Sequence, residues 1–435
     1  MVERMTMGNR SAGTRKGYRR GCLATMVALI VVALVVCVVF SRFGEFGTGP
    51  SADADEFERY AVPVADLEVP EGTRVVALGE ATHGNREFQE LKLDVFQTLV
   101  ERQGVHAFAL EADFGGCEAV NRYIHGGEGT LEEAVGDLVF TIYRTDQMAE
   151  LVSWMRAYNE TAAPGEDLRF YGFDMQSYEH SFNLLLDEAH RLGLDAAPLE
   201  ELWKGDDFAE GVGPEQREEA YAAVVGQLEA LGDDADTSLA LQLIECLRQN
   251  MELGRLADSP DGYGARDGFM AQNVLWILSQ EEARGNRCIL VSAHNGHIEQ
   301  QGTYGPDAKV MGNHLADNLG EAYYAIGTDF FKATVNLPKG DGRMTHTFYS
   351  YDPLAKAAAD GGFESCWLDF ARVPKDSSLR ECIDGPIMMG RVGDGFSVLM
   401  YVLPQTYRVK REPSAPYDSM ILVPYANPTE IAAAS

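Results

Sequence analysis

The chain has 435 residues, and its 67 Asp and Glu against 36 Lys and Arg give a formal net charge of −31. This acidic balance argues against a nucleic-acid partner, because phosphate backbones are bound through an excess of lysine and arginine. The cysteines after residue 40 are odd in number and lack Cys-x-x-Cys spacing, which disfavours a structural zinc site and a complete disulfide framework. Cys366 and Cys382 are the pair that a disulfide would join.

The N-terminal forty residues differ from the rest of the chain. Residues 1–20 are basic, and Gly21 to Phe40 carry no charge. At about 1.5 Å per residue, such a helix crosses a hydrocarbon core of roughly 30 Å, and the basic flank keeps the N-terminus in the cytoplasm. We therefore predict a cytoplasmic tail (1–20), a single-pass transmembrane anchor in the cell membrane (21–40) and an extracytoplasmic domain. A cleaved secretory signal is the alternative, although the apolar core is long and lacks a small-x-small cleavage site.

A Gly-, Pro- and Asp-rich stretch at 41–69 is typical of a stalk or linker, so we predict a catalytic domain at 70–435. Six apolar runs alternate with helical patterns, at Arg74–Leu78, Ala107–Leu110, Leu168–Phe173, Cys288–Ala293, Tyr323–Gly327 and Ser397–Val402. This alternation predicts an α/β fold with a mostly parallel sheet flanked by helices. Residues from about 177 to 256 have helical periodicity throughout and are expected to form a helical insertion, as a cap over a site or as packing support.

The first apolar run leads into Gly79-Glu80-Ala81-Thr82-His83-Gly84. A carboxylate beside an imidazole fixes its tautomer and raises its basicity, which is how a general base is made. A Glu–His pair in a loop is also common without any catalytic role, so this motif alone is weak.

Glu111 strengthens the case, because a glutamate at the end of the buried run Phe108-Ala109-Leu110 is costly unless it is paired. If the first two strands are neighbours, Glu111 lies beside the turn that carries Glu80 and His83. The alternative is a structural ion pair with a basic residue, the candidates being Arg86, Lys92 and Arg122.

Further ionisable residues end the later runs. His294 and His297 follow the run at 288–293, and Asp174 and Asp329 close two more. Ligands of open α/β sheets bind at the carboxyl ends of the strands, so this convergence predicts an enzyme. Gly-x-Ser-x-Gly, a P-loop and a dinucleotide fingerprint are absent from the sequence, which favours an activated water over a covalent nucleophile.

At these residues the chain resembles the erythromycin esterase family, over about Val75 to Phe331. The resemblance lies in the GExxHG-type motif at 79–84, the glutamate Glu111, and His294-Asn295-Gly296-His297-Ile298. It implies that His83 is the general base, activating water for attack on an ester or lactone carbonyl. Glu80 and Glu111 would then orient and charge-balance it, and His294 would bind or polarise the substrate.

The same resemblance suggests which residues bind substrate. Lys92 stands where the best-known relatives carry a positively charged residue, arginine in some, and Lys92, His297, Asp174 and Arg266 are the expected substrate-binding set. A lysine in place of an arginine replaces a fork-like contact with a point charge. The substrate expected is a small-molecule ester or macrolactone, either an antibiotic met outside the cell or an ester of the envelope.

Two histidines and two glutamates at one sheet edge also suit a divalent metal. A metal-dependent hydrolase or protease of a related fold, and a non-catalytic metal- or haem-binding envelope protein, are therefore alternatives. We favour general-base hydrolysis without a metal or other cofactor.

Overall fold

The computed structural model describes residues 24–36, 50–232, 235–257, 259, 262–302, 308–340, 342–401 and 403–431. The helices are α1 (24–36), α2 (Ala54–Phe57), α3 (Arg86–Gln103), α4 (Phe114–Ile124), α5 (Leu131–Gly136), α6 (Asp146–Asn159), α7 (Glu179–Arg191), α8 (Ala197–Glu200), α9 (Pro214–Leu231), α10 (Ala235–Leu256), α11 (Gly262–Ala283), α12 (Asn295–Ile298), α13 (Met311–Leu319), α14 (Pro353–Asp360) and α15 (Arg380–Ile383). The strands are β1 (Val75–Glu80), β2 (Ala107–Asp113), β3 (Arg169–Asp174), β4 (Ile289–His294), β5 (Tyr323–Asp329), β6 (Lys332–Lys339), β7 (Gly342–Tyr349), β8 (Cys366–Asp369), β9 (Ile387–Gly390), β10 (Arg408–Arg411), β11 (Ser419–Leu422) and β12 (Tyr425–Ala426).

A seven-stranded sheet in the order β3-β2-β4-β1-β5-β11-β8 forms the centre of the fold. Its strands pair in parallel, except that β8 runs antiparallel to β11. Every residue of β1, β2, β4 and β5 is buried, because helices cover both faces of the sheet. The predicted α/β fold with a mostly parallel sheet is confirmed.

Five of the six apolar runs correspond to β1–β5, and the sixth prediction is wrong. The run predicted as a strand at Ser397–Val402 contains a 3-10 helix at Val398–Tyr401. The Val398 and Leu399 side chains are 72% and 50% exposed, so these apolar residues lie on the surface and not in a sheet. Strands β8 and β11 take the outer positions of the sheet instead.

The expectation that β1 and β2 lie next to each other in the sheet is also wrong. Strand β4 lies between β1 and β2, and Glu80 is opposite His294 in the β1–β4 register. A strand that comes late in the chain is thus inserted between two early ones, which a strand-by-strand reading of the sequence does not reveal. This insertion places His294 between the two predicted carboxylates, Glu80 and Glu111.

Helices α7–α10 occupy most of residues 177–256, where the sequence has helical periodicity. Helix α10 packs on α7, α9 and α11, and α7 also packs on α4. Their apolar side chains continue the core on one face of the sheet. These helices therefore support the layer that carries α11.

Residues 53–69, the second half of the predicted stalk, pack against the domain. Phe57 and Leu67 are fully buried, and Val62 pairs with Trp367 through two backbone hydrogen bonds of 3.0 and 2.8 Å. The globular part therefore begins before Pro70, because the apolar side chains within this Pro- and Asp-rich stretch find partners on the sheet. Residues 37–49 lie outside the described residues.

The predicted N-terminal anchor falls only partly within the described residues. Residues 24–36 form α1, whereas the predicted tail at 1–20 and the two ends of the segment, 21–23 and 37–40, lie outside them. In the part of the chain that the structure describes, no helix is both long and apolar enough to cross a bilayer.

The disulfide considered between Cys366 and Cys382 does not form. Both residues are buried free thiols, Cys366 on β8 and Cys382 on α15. Burial raises the pKa of both thiols to about 12, so neither is a reactive thiolate at neutral pH.

Candidate active site

The GExxHG motif lies at the end of β1 and in the loop before α3, and this loop is tightly packed. A Cβ at Gly79 would lie 2.1 Å from the Asn295 Oδ1, and one at Gly84 would lie 2.0 Å from the Asn336 carbonyl oxygen. Both contacts are far inside van der Waals distance, so these positions require glycine. The two glycines allow strands and loops to close around His83.

Later parts of the chain hold the same loop in place. The Asn85 side-chain amide donates to the backbone carbonyls of Thr334 and Asn427, at 2.8 Å each. The Val392 backbone N–H donates to the Ala81 carbonyl at 3.2 Å. These bonds fix the loop on two sides, which pre-orders the residues that it carries.

Glu80, at the end of β1, is bonded to two basic partners. One carboxylate oxygen contacts the His83 Nδ1, and the other contacts the Lys92 Nζ. Burial acts to raise the pKa of Glu80, but Lys92 and His83 outweigh it and lower that pKa to about 2. Lys92 was expected to bind substrate, but it is 1% exposed and lies 5.9 Å from the centre of the Tyr143 ring. It is a buried counter-ion of Glu80 and has almost no surface open to a solute.

His83 has one ring nitrogen engaged and one available. Since the Glu80 carboxylate can only accept, the Nδ1 of the neutral His83 ring carries the proton and its Nε2 keeps the lone pair. Burial acts to lower the pKa of His83, but Glu80 above all, and also Glu111 and Asp394, raise it above its ordinary value. The His83 side chain keeps 12% of its surface exposed, so a small molecule can reach the ring.

Glu111, on β2, is anchored by three groups, which belong to β4, α11 and α12. Its carboxylate accepts from the Arg266 Nη2 at 2.8 Å and from the backbone N–H of His294 at 2.9 Å, and it lies 3.2 Å from the His297 Nε2. None of the three basic residues considered as its partners from sequence is bonded to it; all three lie in the described part of the chain and pair with other carboxylates. Burial acts to raise the pKa of Glu111, but His297 and Arg266 hold it well below the ordinary value.

Arg266 and His297 complete a buried charge network behind Glu111. Arg266 bridges Glu111 and Asp174, with its Nη2 at 2.5 Å from the Asp174 Oδ2. The His297 Nδ1 lies 2.8 Å from the Asp267 Oδ1. Burial acts to lower the pKa of His297, but Glu111 and Asp267 raise it to about 10, so this ring is an imidazolium at neutral pH.

Of the other residues expected to bind substrate, Asp174 is fully buried and His297 is 9% exposed. Both are bonded within the charge network, so they hold Glu111 and Arg266 in position and have little surface left to contact a substrate. Asp267 was missed as a site residue. It directly follows Arg266 on α11, but no spacing in the sequence connects it to His297, which comes thirty residues later.

The His294 ring carries a buried hydrogen-bond donor. Its Nδ1 accepts from the Gly296 backbone N–H at 3.2 Å, so in the neutral ring the proton is on the Nε2. No hydrogen-bond partner for that Nε2 is found among the described residues. Burial, and then the positive charges of His83 and His297, lower the pKa of His294 to about 3. A neutral N–H donor therefore lies beside His83, with a ring-centre distance of 5.1 Å.

The fifth strand does not contribute to this site. Asp329, at the end of β5, accepts from the Gly390 backbone N–H at 2.9 Å and faces Asp352. Burial and that second carboxylate hold the pKa of Asp329 well above its ordinary value. Within the described residues, no group of three or more His, Cys, Asp and Glu side chains is arranged to hold a metal ion.

Comparison with known proteins places these residues in context. The sequence profile of the family described as Erythromycin esterase matches residues 100–425. That match includes Glu111, Asp174, Arg266, His294 and His297, and it begins after Glu80, His83 and Lys92.

Two curated proteins are similar to the chain over most of its length. The putative hydrolase YbfO of Bacillus subtilis (strain 168) is 25% identical over 361 residues, which cover 69% of this chain and 78% of that protein. An erythromycin esterase type II of Escherichia coli is 24% identical over 375 residues, covering 75% and 86%.

Three solved structures share the fold. A Bacillus cereus protein superposes with a TM-score of 0.71 at 20% identity, covering 88% of this chain and all of that one. A succinoglycan biosynthesis protein gives 0.71 at 19% identity, covering 87% and 98%. An erythromycin esterase variant with a histidine-to-asparagine change, in its open conformation, gives 0.57 at 19% identity, covering 84% and 93%.

Proposed function

Because the chain belongs to the erythromycin esterase family, we propose that it hydrolyses a carboxylic ester or lactone with a water activated by His83. The single observation that carries this proposal is the pairing of two unlike histidines. His83 offers a basic Nε2, and His294, 5.1 Å away between ring centres, offers a neutral Nε2–H that has no partner among the described residues. Such a pair suits an attacking water on one side and a carbonyl oxygen on the other.

The proposed reaction needs no covalent enzyme intermediate. The His83 Nε2 takes a proton from water while the water oxygen attacks the carbonyl carbon. The carbonyl oxygen becomes an oxyanion, to which the His294 Nε2–H donates. When the tetrahedral intermediate collapses, the carbon–oxygen bond to the alcohol breaks, and His83 returns the proton to the leaving oxygen. An acid and an alcohol result, or a hydroxy acid from a lactone.

The carboxylates have separate tasks in this scheme. Glu80 holds the His83 Nδ1–H and stabilises the imidazolium that forms when His83 takes a proton. Glu111 accepts from the His294 backbone N–H and so positions that residue. Lys92 keeps Glu80 ionised, and Arg266 with His297 keeps Glu111 ionised.

We infer the substrate class from the relatives. One curated relative is an erythromycin esterase type II, and another is described as a putative hydrolase, so an ester bond in a small molecule is the target that we propose. A macrolactone and an ester of the cell envelope are the two forms to be compared.

A hydrolysis screen of the purified full-length chain tests the proposal. The substrates are p-nitrophenyl esters and macrolides, each with and without chelator, and the matched enzyme is the His83→Gln variant. We expect wild-type turnover of at least one ester or lactone, with the product gaining one water, and loss of that turnover in the variant. Turnover of equal size in both proteins would contradict His83 as the base, and peptide hydrolysis dependent on a metal would favour a protease.

A further inference from the structure

One exposed cation lies at the turn that carries His294. Arg391 follows β9, and its backbone N–H donates to the Tyr407 carbonyl at 2.8 Å. The next residue, Val392, is fully buried and bonded to Ala81 in the loop of His83. The backbone at Arg391 is therefore fixed on both sides, while its side chain is exposed.

The guanidinium of Arg391 lies close to the His294 ring. A Cβ added at Gly296 would be 3.8 Å from the Arg391 Nη2 and 3.9 Å from the His294 Cε1. The two groups thus flank the same point in space. The same Cβ would be 3.4 Å from the His294 Nδ1, so Arg391 lies on the Nδ1–Cε1 side of the ring. A substrate that extends past the Cε1 from the Nε2 would meet the guanidinium.

The charge of Arg391 is not cancelled by an ion pair. Within the described residues, its guanidinium makes no hydrogen bond or salt bridge. Burial raises the pKa of Glu299, and Arg411 and then Arg391 act against that rise. Glu299 is 4% exposed and already paired with the Arg411 Nη1 at 2.5 Å. One carboxylate therefore serves two guanidinium groups, which leaves a positive charge at the site.

The deeper charges of the site do not neutralise this cation either. Glu80 is paired with Lys92 and His83, and Glu111 with Arg266 and His297. Asp394, three residues further on, lies 3.3 Å from the Arg343 Nη2. On a chain whose formal net charge is −31, Arg391 is thus an exposed arginine without a salt bridge among the described residues.

We propose that Arg391 binds an anionic group of the substrate, so that the enzyme prefers esters whose acyl part carries a carboxylate. This inference rests on the proposed ester hydrolysis and deepens it by naming the substrate class. Arginine suits the task because its planar fork binds a carboxylate through two parallel hydrogen bonds.

A matched pair of esters tests the proposal. Mono-p-nitrophenyl succinate and p-nitrophenyl butyrate have acyl chains of the same length, but only the first carries a carboxylate. We expect wild-type kcat/KM to favour the succinate, and Arg391→Gln to lower kcat/KM for the succinate at least about tenfold, as loss of a charged hydrogen bond predicts. The butyrate value should stay within about twofold, since only the binding of the charged group is removed. Arg391→Lys should keep part of the preference.

The control is Arg102→Gln, which removes the same charge from an exposed arginine paired with Asp66. It should leave both kcat/KM values unchanged. An unchanged ratio of succinate to butyrate in Arg391→Gln, or an equal fall in that ratio in the Arg102 variant, would overturn the proposal.

A binding measurement keeps this inference separate from the proposed function. Succinanilic acid and butyranilide are the corresponding amides, and calorimetry on the full chain measures their affinities. If no ester is turned over but the acid binds at least about tenfold more weakly to Arg391→Gln than to wild type, the anion site stands and the hydrolytic proposal fails. Equal affinity in both proteins, or no binding to either, overturns the anion site.

Discussion

The rings of His83 and His294 lie 5.1 Å apart between centres, and their surroundings move their pKa values in opposite directions. Burial acts to lower the pKa of His83, but Glu80 raises it above the ordinary value. Burial and two positive neighbours lower the pKa of His294 to about 3. Two titratable groups pushed apart in this way are suited to different roles. The Nε2 of the basic ring can accept a proton, and the Nε2–H of the neutral ring can donate a hydrogen bond.

Replacing the proposed base should remove most of the activity. We expect His83→Gln to lower kcat by roughly 10²–10⁴-fold, the usual contribution of general-base catalysis, while the circular dichroism spectrum is retained. His190→Gln is the matched control, because His190 is 57% exposed and pairs only with Glu200 in the described structure. Activity of His83→Gln within a few-fold of wild type would exclude this mechanism.

The pH dependence of the rate should have a single rising limb. Only the neutral form of His83 can accept a proton, so kcat should rise with pH through a pKa above the ordinary histidine value. His294, with a pKa of about 3, stays neutral throughout the working range. Removing the charge of Glu80 should move the rising limb to lower pH, because Glu80 is the strongest influence that raises the pKa of His83.

That variant needs a compensating change. Glu80→Gln alone leaves Lys92 buried without a counter-charge, which costs on the order of 3–5 kcal/mol of unfolding free energy. The double variant Glu80→Gln/Lys92→Met should recover most of that loss and is the protein for the pH profile. A rising limb that does not move in the double variant would show that Glu80 does not tune His83.

The ionisable residues at the strand ends can be predicted from the sequence, but the order of the strands in the sheet cannot. Glu80, Glu111 and His294 were each identified as strand-terminal residues, because an ionisable group after a buried apolar run is conspicuous. Their arrangement depends on β4 lying between β1 and β2, and strand order is set by packing between distant segments. For this reason the pairing of Glu111 with Arg266 and His297 could not be predicted, while the pairing of Glu80 with His83, three residues away, could.

Burial explains the other differences. Lys92 and Asp174 are charged residues on amphipathic or strand patterns, and the family resemblance suggested contact with a substrate. In the structure both are almost fully buried and bonded to ions of opposite charge. The sequence does not single out Arg391, because an isolated arginine after a short strand belongs to no motif. Only its position near His294 in the fold distinguishes it.

Chelation should leave activity nearly unchanged. His83 must keep the lone pair of its Nε2 to accept a proton, whereas a metal ligand would give that lone pair to the ion, which would then acidify the water itself. We therefore expect dialysis against a strong chelator to alter kcat by less than about twofold, far below the roughly 10²–10⁴-fold contribution of the general base. Loss of activity that zinc or manganese restores would favour a metal-dependent hydrolase instead.

The N-terminal segment leads to a separate prediction. If Gly21 to Phe40 anchor the chain, cell fractionation should recover it in the membrane at its full mass of 47.7 kDa, with the catalytic domain open to added protease from outside. The matched control is a chain in which two residues of the segment are replaced by arginine, since a charge at the centre of a spanning helix costs about 2.5–3.5 kcal/mol on insertion scales. A shorter, freely soluble exported form would indicate signal cleavage.

Asp267 should act on the site through the charge of His297, and its contribution to stability should therefore depend on pH. Burial acts to lower the pKa of His297, but Glu111 and Asp267 raise it to about 10 in the folded protein. An unperturbed histidine has a pKa of about 6.5. A raised pKa stabilises the folded state fully at pH values below the unfolded-state pKa, and this stability is lost as pH rises through the folded-state pKa.

The variant Asp267→Asn tests this dependence. It keeps a side-chain oxygen that can accept from the Met311 backbone N–H, as Asp267 does at 2.7 Å, but it removes the charge beside His297. The variant should thus be less stable than wild type near pH 6, and the difference in unfolding free energy should shrink as pH approaches about 10. Urea unfolding of both proteins at several pH values measures this difference, and Asp267→Ala, which also removes the acceptor for Met311, separates the two roles. A loss of stability in Asp267→Asn that is the same at every pH would mean that Asp267 is only a hydrogen-bond acceptor between α11 and α13.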